Sequence, residues 1–275
     1  MKQRIITALV LTPIAVALIL LAPTPLFAVV VGVAFLMALW EWTRLVGLES
    51  AGPRAAYVAG AASLLGLLWV FRDGDAWTFT IALGLAWWLV ALAWLRHFSF
   101  AAAPTRGNRM LKLIAGWVVV VPAWVALLLI HRSEPLGHWW ALFALALVWA
   151  ADTFAYFAGS RFGRTKLAPR ISPGKTIEGA WGALAGGALV AMAGGWLLGE
   201  RGLALALLVG AGLVAIVFSI VGDLFESLLK RQANVKDSGA LFPGHGGLLD
   251  RLDSVFAAIP VFAAGKAAID LLLPA

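Results

Sequence analysis

The chain has 275 residues, of which 62% are hydrophobic and 13% are charged, and its formal net charge at pH 7 is +7. Soluble globular domains contain about 45–50% apolar residues, so this composition excludes an ordinary soluble protein and predicts a polytopic membrane protein. Cytosolic loops of membrane proteins carry an excess of lysine and arginine, which explains the positive charge without a nucleic-acid partner. The chain contains no cysteine, which excludes disulfides, thiolate metal sites and a cysteine nucleophile.

Long apolar runs bounded by charged residues or prolines predict an all-α fold with nine membrane-spanning helices in one domain, residues 1–275. The first run is longer than the hydrophobic region of a signal peptide, so we interpret it as an uncleaved span. The predicted spans lie at about residues 5–22, 26–43, 55–71, 76–95, 111–130, 138–158, 177–198, 203–222 and 254–273. Residues 1–135 form N-terminal helices of unclear role, and residues 136–275 hold the chemistry.

The distribution of positive charge predicts the orientation. If the N-terminus is cytosolic, only Arg72, Arg132 and Arg201 fall in outer loops, and Lys266 falls inside the last span. All other lysines and arginines then lie on the inner side, as the positive-inside rule requires. We therefore expect a cytosolic N-terminus, an outer C-terminus, and a cytosolic location for residues 222–254.

The N-terminal half offers little chemistry. Glu41 lies near the inner end of the second span, and we interpret it as snorkelling or pairing with Arg44 rather than as catalytic. The tryptophan pairs Trp87-Trp88 and Trp139-Trp140 are interpreted as interfacial anchors or lipid-facing residues. No function is assigned to the histidines His97, His131 and His138.

Asp152 is an acidic residue inside the sixth apolar span, one helical turn before Tyr156. A carboxylate at membrane depth faces protein, water or a metal rather than lipid. It is followed by a basic loop, so we expect Asp152 to face a polar site.

The segment Ser172-Pro-Gly-Lys-Thr176 superficially resembles a phosphate-binding P-loop. The P-loop pattern requires a glycine where this chain has Pro169, so that interpretation fails. The segment instead predicts a helix N-terminus near Thr176, with Glu178 in the first turn.

Residues 222–254 form a charged stretch between two apolar runs. A helix that continues past Gly222 places Asp223 one turn from Glu226 and Ser227, and Glu226 one turn from Lys230. A second helix that starts near Leu248 places Asp250 and Asp253 on one face. Opposed carboxylates near lysines and arginines are suited to a divalent metal and a polyphosphate together.

The same stretch carries a long pattern at fixed spacing: Ser227, Leu229, Lys230-Arg231, Lys236-Asp237, Gly239, Phe242-Pro243, His245-Gly246-Gly247-Leu248 and Asp250-Arg251-Leu252-Asp253. It resembles the signature of phosphatidate cytidylyltransferases, also called CDP-diacylglycerol synthases. The Ser-Pro-x-Lys-Thr segment at 172–176, followed by Glu178-Gly179, resembles the same family.

The resemblance implies cytidylyl transfer from CTP to phosphatidate, giving CDP-diacylglycerol and pyrophosphate. It further implies Mg²⁺, with a second metal or a monovalent cation left open, and a homodimer. Together with the compact length, it favours a bacterial inner membrane, with the active site facing the cytosol.

The resemblance also implies roles for individual residues. The candidate catalytic residues are Asp223, Asp250, Lys230 and Arg231. The candidate substrate-binding residues are Ser172, Lys175, Thr176, Ser227, Lys236, His245, Gly246, Gly247 and Arg251. The candidate metal ligands are Asp223 and Asp250, with Glu226, Asp253 and Asp152 as further candidates.

Three other functions share part of this pattern. His245 and Asp250 have the spacing of glycerolipid acyltransferases, in which histidine is the general base. A cation transporter would bind ions at Asp152, Asp223 and Asp250, but no internal repeat is visible. The CDP-alcohol phosphotransferase pattern, which begins with Asp-Gly, does not continue after Asp73-Gly74.

Overall fold

The structure is a computed structural model that describes residues 2–239 and 246–273, with side chains from residue 12 onward. Nine helices and two short strands lie in this described part. They are α1 (Lys2–Leu21), α2 (Thr24–Leu45), α3 (Ala51–Val70), α4 (Ala76–Arg96), α5 (Arg106–His131), α6 (Gly137–Phe162), β1 (Lys166–Ala168), β2 (Ser172–Thr176), α7 (Ile177–Leu197), α8 (Gly202–Gln232) and α9 (Leu249–Leu272).

The predicted membrane fold is confirmed. Eight helices, α2 to α9, are long and apolar enough to cross a membrane, and the described apolar part of α1, Thr12–Leu21, is shorter. Each of the nine predicted spans overlaps one helix.

Two helices differ from the predicted spans in ways that build the site. Helix α8 has 31 residues, so at 1.5 Å per residue it is about 46 Å long, whereas the hydrocarbon core of a bilayer is about 30 Å thick. Helix α9 begins at Leu249, as expected from the predicted helix start near Leu248, and so it extends beyond the predicted apolar span at residues 254–273. Both helices therefore carry their charged residues as ordered helical turns beyond the apolar runs.

A two-stranded antiparallel ribbon between α6 and α7 was not predicted. In β1 and β2, Lys166 pairs with Thr176 and Ala168 pairs with Ser172. Thr176 is also the N-cap of α7, because its hydroxyl accepts a hydrogen bond from the Gly179 amide at 3.1 Å, as predicted. The ribbon thus ends directly at a helix N-terminus and holds its residues in a fixed place.

Glycines allow α6, α7 and α8 to pack closely. A methyl group added to Gly182 or Gly186 of α7 would overlap Ala158 or Phe154 of α6. The same addition to Gly187 would overlap Ile216 of α8. Small residues at helix contacts permit this close approach in membrane proteins.

Helix α8 also meets α9 at a glycine. A side chain at Gly222 would overlap the Asp253 carbonyl oxygen and the Ala257 methyl group. The two backbones are therefore adjacent at this level. This contact brings Asp223, the next residue of α8, close to the first turns of α9.

The N-terminal helices enclose the charged end of α8. The Phe225 ring packs against a cluster of indoles from α2 and α4, at centroid distances between 5.4 and 6.3 Å: Trp42, Trp87, Trp88 and Trp94. Trp87 and Trp88 are buried, so their interpretation as interfacial or lipid-facing residues was wrong. The cluster fixes the rotation of α8 beside Glu226.

Candidate active site

A cavity of about 410 Å³ lies between α6, the β-ribbon, α7 and α8. Its polar lining comes from three separate segments of the chain, and it consists of Asp152, Tyr156, Ser160, Lys175, Thr176 and Asp223. Among the residues that the structure describes, the lining contains no imidazole and no sulfur. The cavity therefore offers carboxylate and hydroxyl oxygens together with one ammonium group.

Lys175 and Asp223 form an ion pair at this cavity. The lysine is carried by β2 and the aspartate by α8, so the ribbon and the helix meet through opposite charges. Asp152 of α6 interacts electrostatically with both of them. The Ser227 hydroxyl donates to Oδ1 of Asp223 over 3.4 Å, one helical turn away.

Asp253 joins this group from α9. Its carboxylate interacts electrostatically with Asp223, Glu226 and Lys175. Its Oδ1 accepts a hydrogen bond of 2.6 Å from the Ser254 amide. The predicted opposition of carboxylates on α8 and α9 is therefore present in the structure.

A second charged cluster is centred on Lys230. Its ammonium forms ion pairs with Glu226, one turn earlier on α8, and with Oδ1 of Asp250 on α9 at 2.6 Å. Glu226 is only 2% exposed. Among the described residues, the ion pair with Lys230 is the main compensation for this buried carboxylate.

The other oxygen of Asp250 fixes the start of α9. Oδ2 accepts hydrogen bonds from the Gly247 amide at 2.7 Å and from the Ser238 amide at 3.0 Å. The Ser238 hydroxyl also lies 3.0 Å from Oδ2, and its single proton is shared between Asp250 and Glu41. Asp250 thus connects Lys230 to Ser238 and Gly247.

Glu41 of α2 also contacts Ser238 and the start of α9, which the sequence did not indicate. Its carboxylate accepts hydrogen bonds from the Ser238 hydroxyl at 2.9 Å, the Leu248 amide at 3.1 Å and the Leu249 amide at 2.8 Å. It is 8% exposed. The interpretation of Glu41 as snorkelling or pairing with Arg44 was wrong, because these buried partners satisfy the carboxylate.

The structure brings several other predicted residues to neighbouring positions but not into the cavity. Arg231 donates to the backbone carbonyls of Ile171 at 3.2 Å and Val235 at 3.4 Å, and so it supports the turn of the ribbon. Ser172 lies in β2 opposite Ala168. Lys236 and Arg251 are exposed, and Gly246 precedes Gly247 with a φ of 80°. His245 lies outside the described residues.

Glu178 makes a separate set of hydrogen bonds to the backbone before β1. Its carboxylate accepts hydrogen bonds from the Arg164 and Thr165 amides, at 3.1 to 3.2 Å. The predicted place of Glu178 in the first turn of α7 is confirmed. Through these bonds, the first turn of α7 holds the start of the segment that leads into β1.

The donor groups fit Mg²⁺, which takes oxygen ligands and usually keeps waters and substrate phosphates beside one or two carboxylates. Within the described ranges, no three His, Cys, Asp or Glu side chains form a ready group of metal ligands. Asp223 offers a carboxylate in the cavity and Asp253 interacts with it from α9, and substrate phosphate and water would complete the coordination. The residues thus fit an ion that arrives with a phosphate ligand.

Two residues beyond the predicted set, Glu41 and Ser238, take part in this network. The only signal for Glu41 was an acidic residue within a largely apolar helix, which at membrane depth indicates a specific partner. Ser238 had no signal of its own.

Comparison with known proteins places these motifs in a family. The sequence profile described as the cytidylyltransferase family matches residues 2–267. The chain is 45% identical to a phosphatidate cytidylyltransferase of Pseudomonas aeruginosa over 265 residues, which cover 96% of each protein. It is 34% identical to the protein of the same name from Haemophilus influenzae, covering 95% of this chain and 97% of the relative. It is 31% identical to that from Bacillus subtilis, covering 94% of this chain and 95% of the relative.

Proposed function

This chain belongs to the cytidylyltransferase family, and from that premise we propose that it transfers the cytidylyl group of CTP to phosphatidate. The products are CDP-diacylglycerol and pyrophosphate. We assign the reaction to this cavity because the Lys175–Asp223 ion pair lies there among other side chains that carry oxygen atoms. Neither cation transport nor acyl transfer is supported by the family match.

The reaction needs positioning more than activation. An oxygen of the phosphatidate phosphate attacks the α-phosphorus of CTP, a new P–O–P bond forms, and the bond between the α- and β-phosphates breaks. The electron pair of that bond leaves with pyrophosphate. Because the nucleophile is already an anion, the protein does not have to remove a proton; it has to bring two anions together and stabilise charge on the leaving group.

Lysines at both clusters suit that task. Lys175 lines the cavity and is held there by Asp223, so it is placed to exchange a carboxylate partner for a phosphate oxygen. Lys230 is held between Glu226 and Asp250 and supplies positive charge at the junction of α8 and α9. Charge-assisted hydrogen bonds to phosphate are stronger than neutral ones.

We propose Mg²⁺ as the cofactor, held by Asp223 of the cavity lining and by Asp253, which interacts with Asp223 from α9. When bound, the ion would withdraw negative charge from the triphosphate and the departing pyrophosphate. Asp250 is retained as a further ligand candidate, although in this structure both of its oxygens have protein partners. The remaining ligands would come from substrate and water.

We also propose that the site faces the cytosol of a bacterial cell, where CTP is available, and that phosphatidate arrives from the bilayer. The support is the concentration of lysine and arginine on one side of the spans and the bacterial origin of the relatives. The homodimer implied by the family resemblance is likewise a proposal. Mass measurement of the protein in detergent tests it.

Lipid labelling tests the function. Purified protein is incubated with phosphatidate, Mg²⁺ and CTP labelled at the α-phosphate, beside the variants Asp223→Asn and Asp250→Asn. Asp75→Asn is the matched control, because Asp75 is an exposed aspartate in the connection between α3 and α4. We expect label in the lipid phase with wild type and the control, and loss of at least a hundredfold in both site variants. Folded wild-type protein that yields no labelled lipid would overturn the proposal.

A further inference from the structure

We propose that Glu41 of α2 is a positioning residue for this reaction, acting through Ser238 and the first turn of α9 on Asp250 and Lys230. The inference rests on the proposed function and extends the site into the N-terminal half of the chain. Glu41 does not line the catalytic cavity. Its effect on the reaction therefore passes through other residues.

Glu41 caps helix α9 from a different helix. The N-cap residue of α9 is Leu248, whose side chain has no hydrogen-bond acceptor, and no side-chain cap comes from within the helix. Backbone N–H groups at a helix start lack intrahelical partners, and a negative charge there is favourable. The carboxylate of Glu41 accepts from the Leu248 and Leu249 amides at 3.1 and 2.8 Å, and so it supplies the missing cap.

Ser238 links this cap to Asp250. Its hydroxyl lies 2.9 Å from Oε2 of Glu41, and its amide donates to Oδ2 of Asp250 at 3.0 Å. The other oxygen of Asp250 lies 2.6 Å from the ammonium of Lys230. A continuous set of short polar contacts therefore runs from α2 to the charged end of α8.

Two glycines, Gly239 and Gly247, lie against the Glu41 carboxylate and leave space for it. A methyl group added to Gly239 or Gly247 would overlap the Glu41 carboxylate. Neither glycine has a positive φ, so available space, and not backbone conformation, explains why these positions carry no side chain. The absence of a side chain at Gly239 and at Gly247 leaves the space that the Glu41 carboxylate occupies.

The expected consequence is a loss of rate more than a loss of substrate affinity. Without the Glu41 carboxylate, the start of α9 and Asp250 would shift relative to Lys230. A misplacement of about 1 Å in a catalytic constellation can cost roughly a hundredfold in rate. CTP and phosphatidate contacts in the cavity itself would remain.

The test compares Glu41→Gln and Ser238→Ala with the control Glu49→Gln. Glu49 is an exposed glutamate a few residues after α2. For each variant, kcat and the KM values for CTP and phosphatidate are measured per mole of folded protein, as judged by size exclusion and thermal melting. Hydrogen exchange of the Leu248 and Leu249 amides is measured in parallel. We expect kcat of Glu41→Gln to fall 10- to 100-fold with both KM values within threefold of wild type, and the two amides to exchange at least tenfold faster.

The double variant Glu41→Gln with Ser238→Ala adds a second criterion. If both residues act through the same contact, the loss in kcat of the double variant is close to that of the worse single variant rather than the product of the two. Multiplying losses would overturn the linkage through Ser238.

Two further results would overturn the inference. One is a kcat of Glu41→Gln within twofold of wild type. The other is a decrease in activity that only matches the loss of folded protein. If wild type forms no labelled lipid, the proposed function fails, and the amide exchange of Leu248 and Leu249 still decides whether Glu41 holds the start of α9.

Discussion

The ammonium nitrogen of Lys230 lies 2.6 Å from Oδ1 of Asp250, although the lysine is in the last turn of α8 and the aspartate is in the first turn of α9. Lys230 also pairs with Glu226, so one buried cation compensates two buried carboxylates. The side chains of all three residues are at most 12% exposed. Removal of the cation would leave the carboxylates of Glu226 and Asp250 without their shared counter-charge.

Replacing Lys230 should therefore destabilise the protein as well as reduce its activity. Loss of one partner from a buried ion pair costs about 3–5 kcal/mol, so we expect Lys230→Met to melt well below wild type in detergent. Lys236→Met, at an exposed lysine, serves as the stability control and should melt near wild type. Adding Glu226→Gln to Lys230→Met should restore part of the loss. An unchanged melting temperature for Lys230→Met would show that the pair contributes little.

Lys175 should act on nucleotide binding. Its ammonium lies at the cavity and is placed to contact phosphate, and a hydrogen bond to a charged group contributes about 1.5–3 kcal/mol. We expect Lys175→Gln to raise the KM for CTP at least tenfold in steady-state assays of lipid labelling. Lys166→Gln, an exposed lysine of the neighbouring strand β1, is the matched control. Equal KM values in the two variants would contradict a phosphate contact for Lys175.

Metal removal should abolish the reaction reversibly. The carboxylates of Asp223 and Asp253 suit Mg²⁺, and the charge of a triphosphate needs a counter-ion. We expect chelation to stop lipid labelling and added Mg²⁺ to restore it. In a Mg²⁺ titration, Asp253→Asn should need a higher concentration for half-maximal rate than wild type. Full activity after exhaustive chelation would exclude the metal requirement.

Because α6 packs closely on α7, replacing a glycine at their contact should lower the stability of the protein. A methyl group at Gly186 would overlap Phe154, whereas Gly210 of α8 has open space around the same position. Overpacking typically costs about 1–3 kcal/mol, so Gly186→Ala should lower the melting temperature by several degrees. Gly210→Ala should leave it unchanged or slightly higher, since alanine is the better helix former. Equal behaviour of the two variants would contradict this packing.

The proposed orientation can be tested with single cysteines, because the chain has none of its own. Asp75 lies in a predicted outer loop and Ser99 in a predicted inner loop, and both are exposed. In intact cells, Asp75→Cys should react with a membrane-impermeant maleimide. Ser99→Cys should react only after the membrane is permeabilised. The reverse pattern would place the N-terminus and the active site on the outer side.

Local spacing in the sequence predicted the parts of the site that lie on one helix. The proximity of Glu226 to Lys230 and of Asp223 to Ser227 follows from the helical repeat, and both contacts are present. The N-cap at Thr176 follows from its hydroxyl and from Glu178 in the first turn of the helix, and it too is confirmed. These contacts depend only on neighbours within four residues.

Contacts between distant segments were not predictable in the same way. The sequence contains no periodic relation between Glu41 and Ser238, which are 197 residues apart, and Glu41 was therefore interpreted from its nearest charged neighbour, Arg44. The ribbon of β1 and β2 was missed for a related reason, because its two strands have three and five residues and no alternating apolar pattern. The pairing of Lys175 with Asp223 depends on that ribbon.

The cap on α9 has a consequence for biosynthesis. Glu41 is translated more than two hundred residues before the amides of Leu248 and Leu249 that it binds. A chain that ends before Leu248 contains the first eight helices but lacks both of those amides and Asp250. The contacts that connect α2 to the charged end of α8 therefore form only after the first residues of α9 have been synthesised.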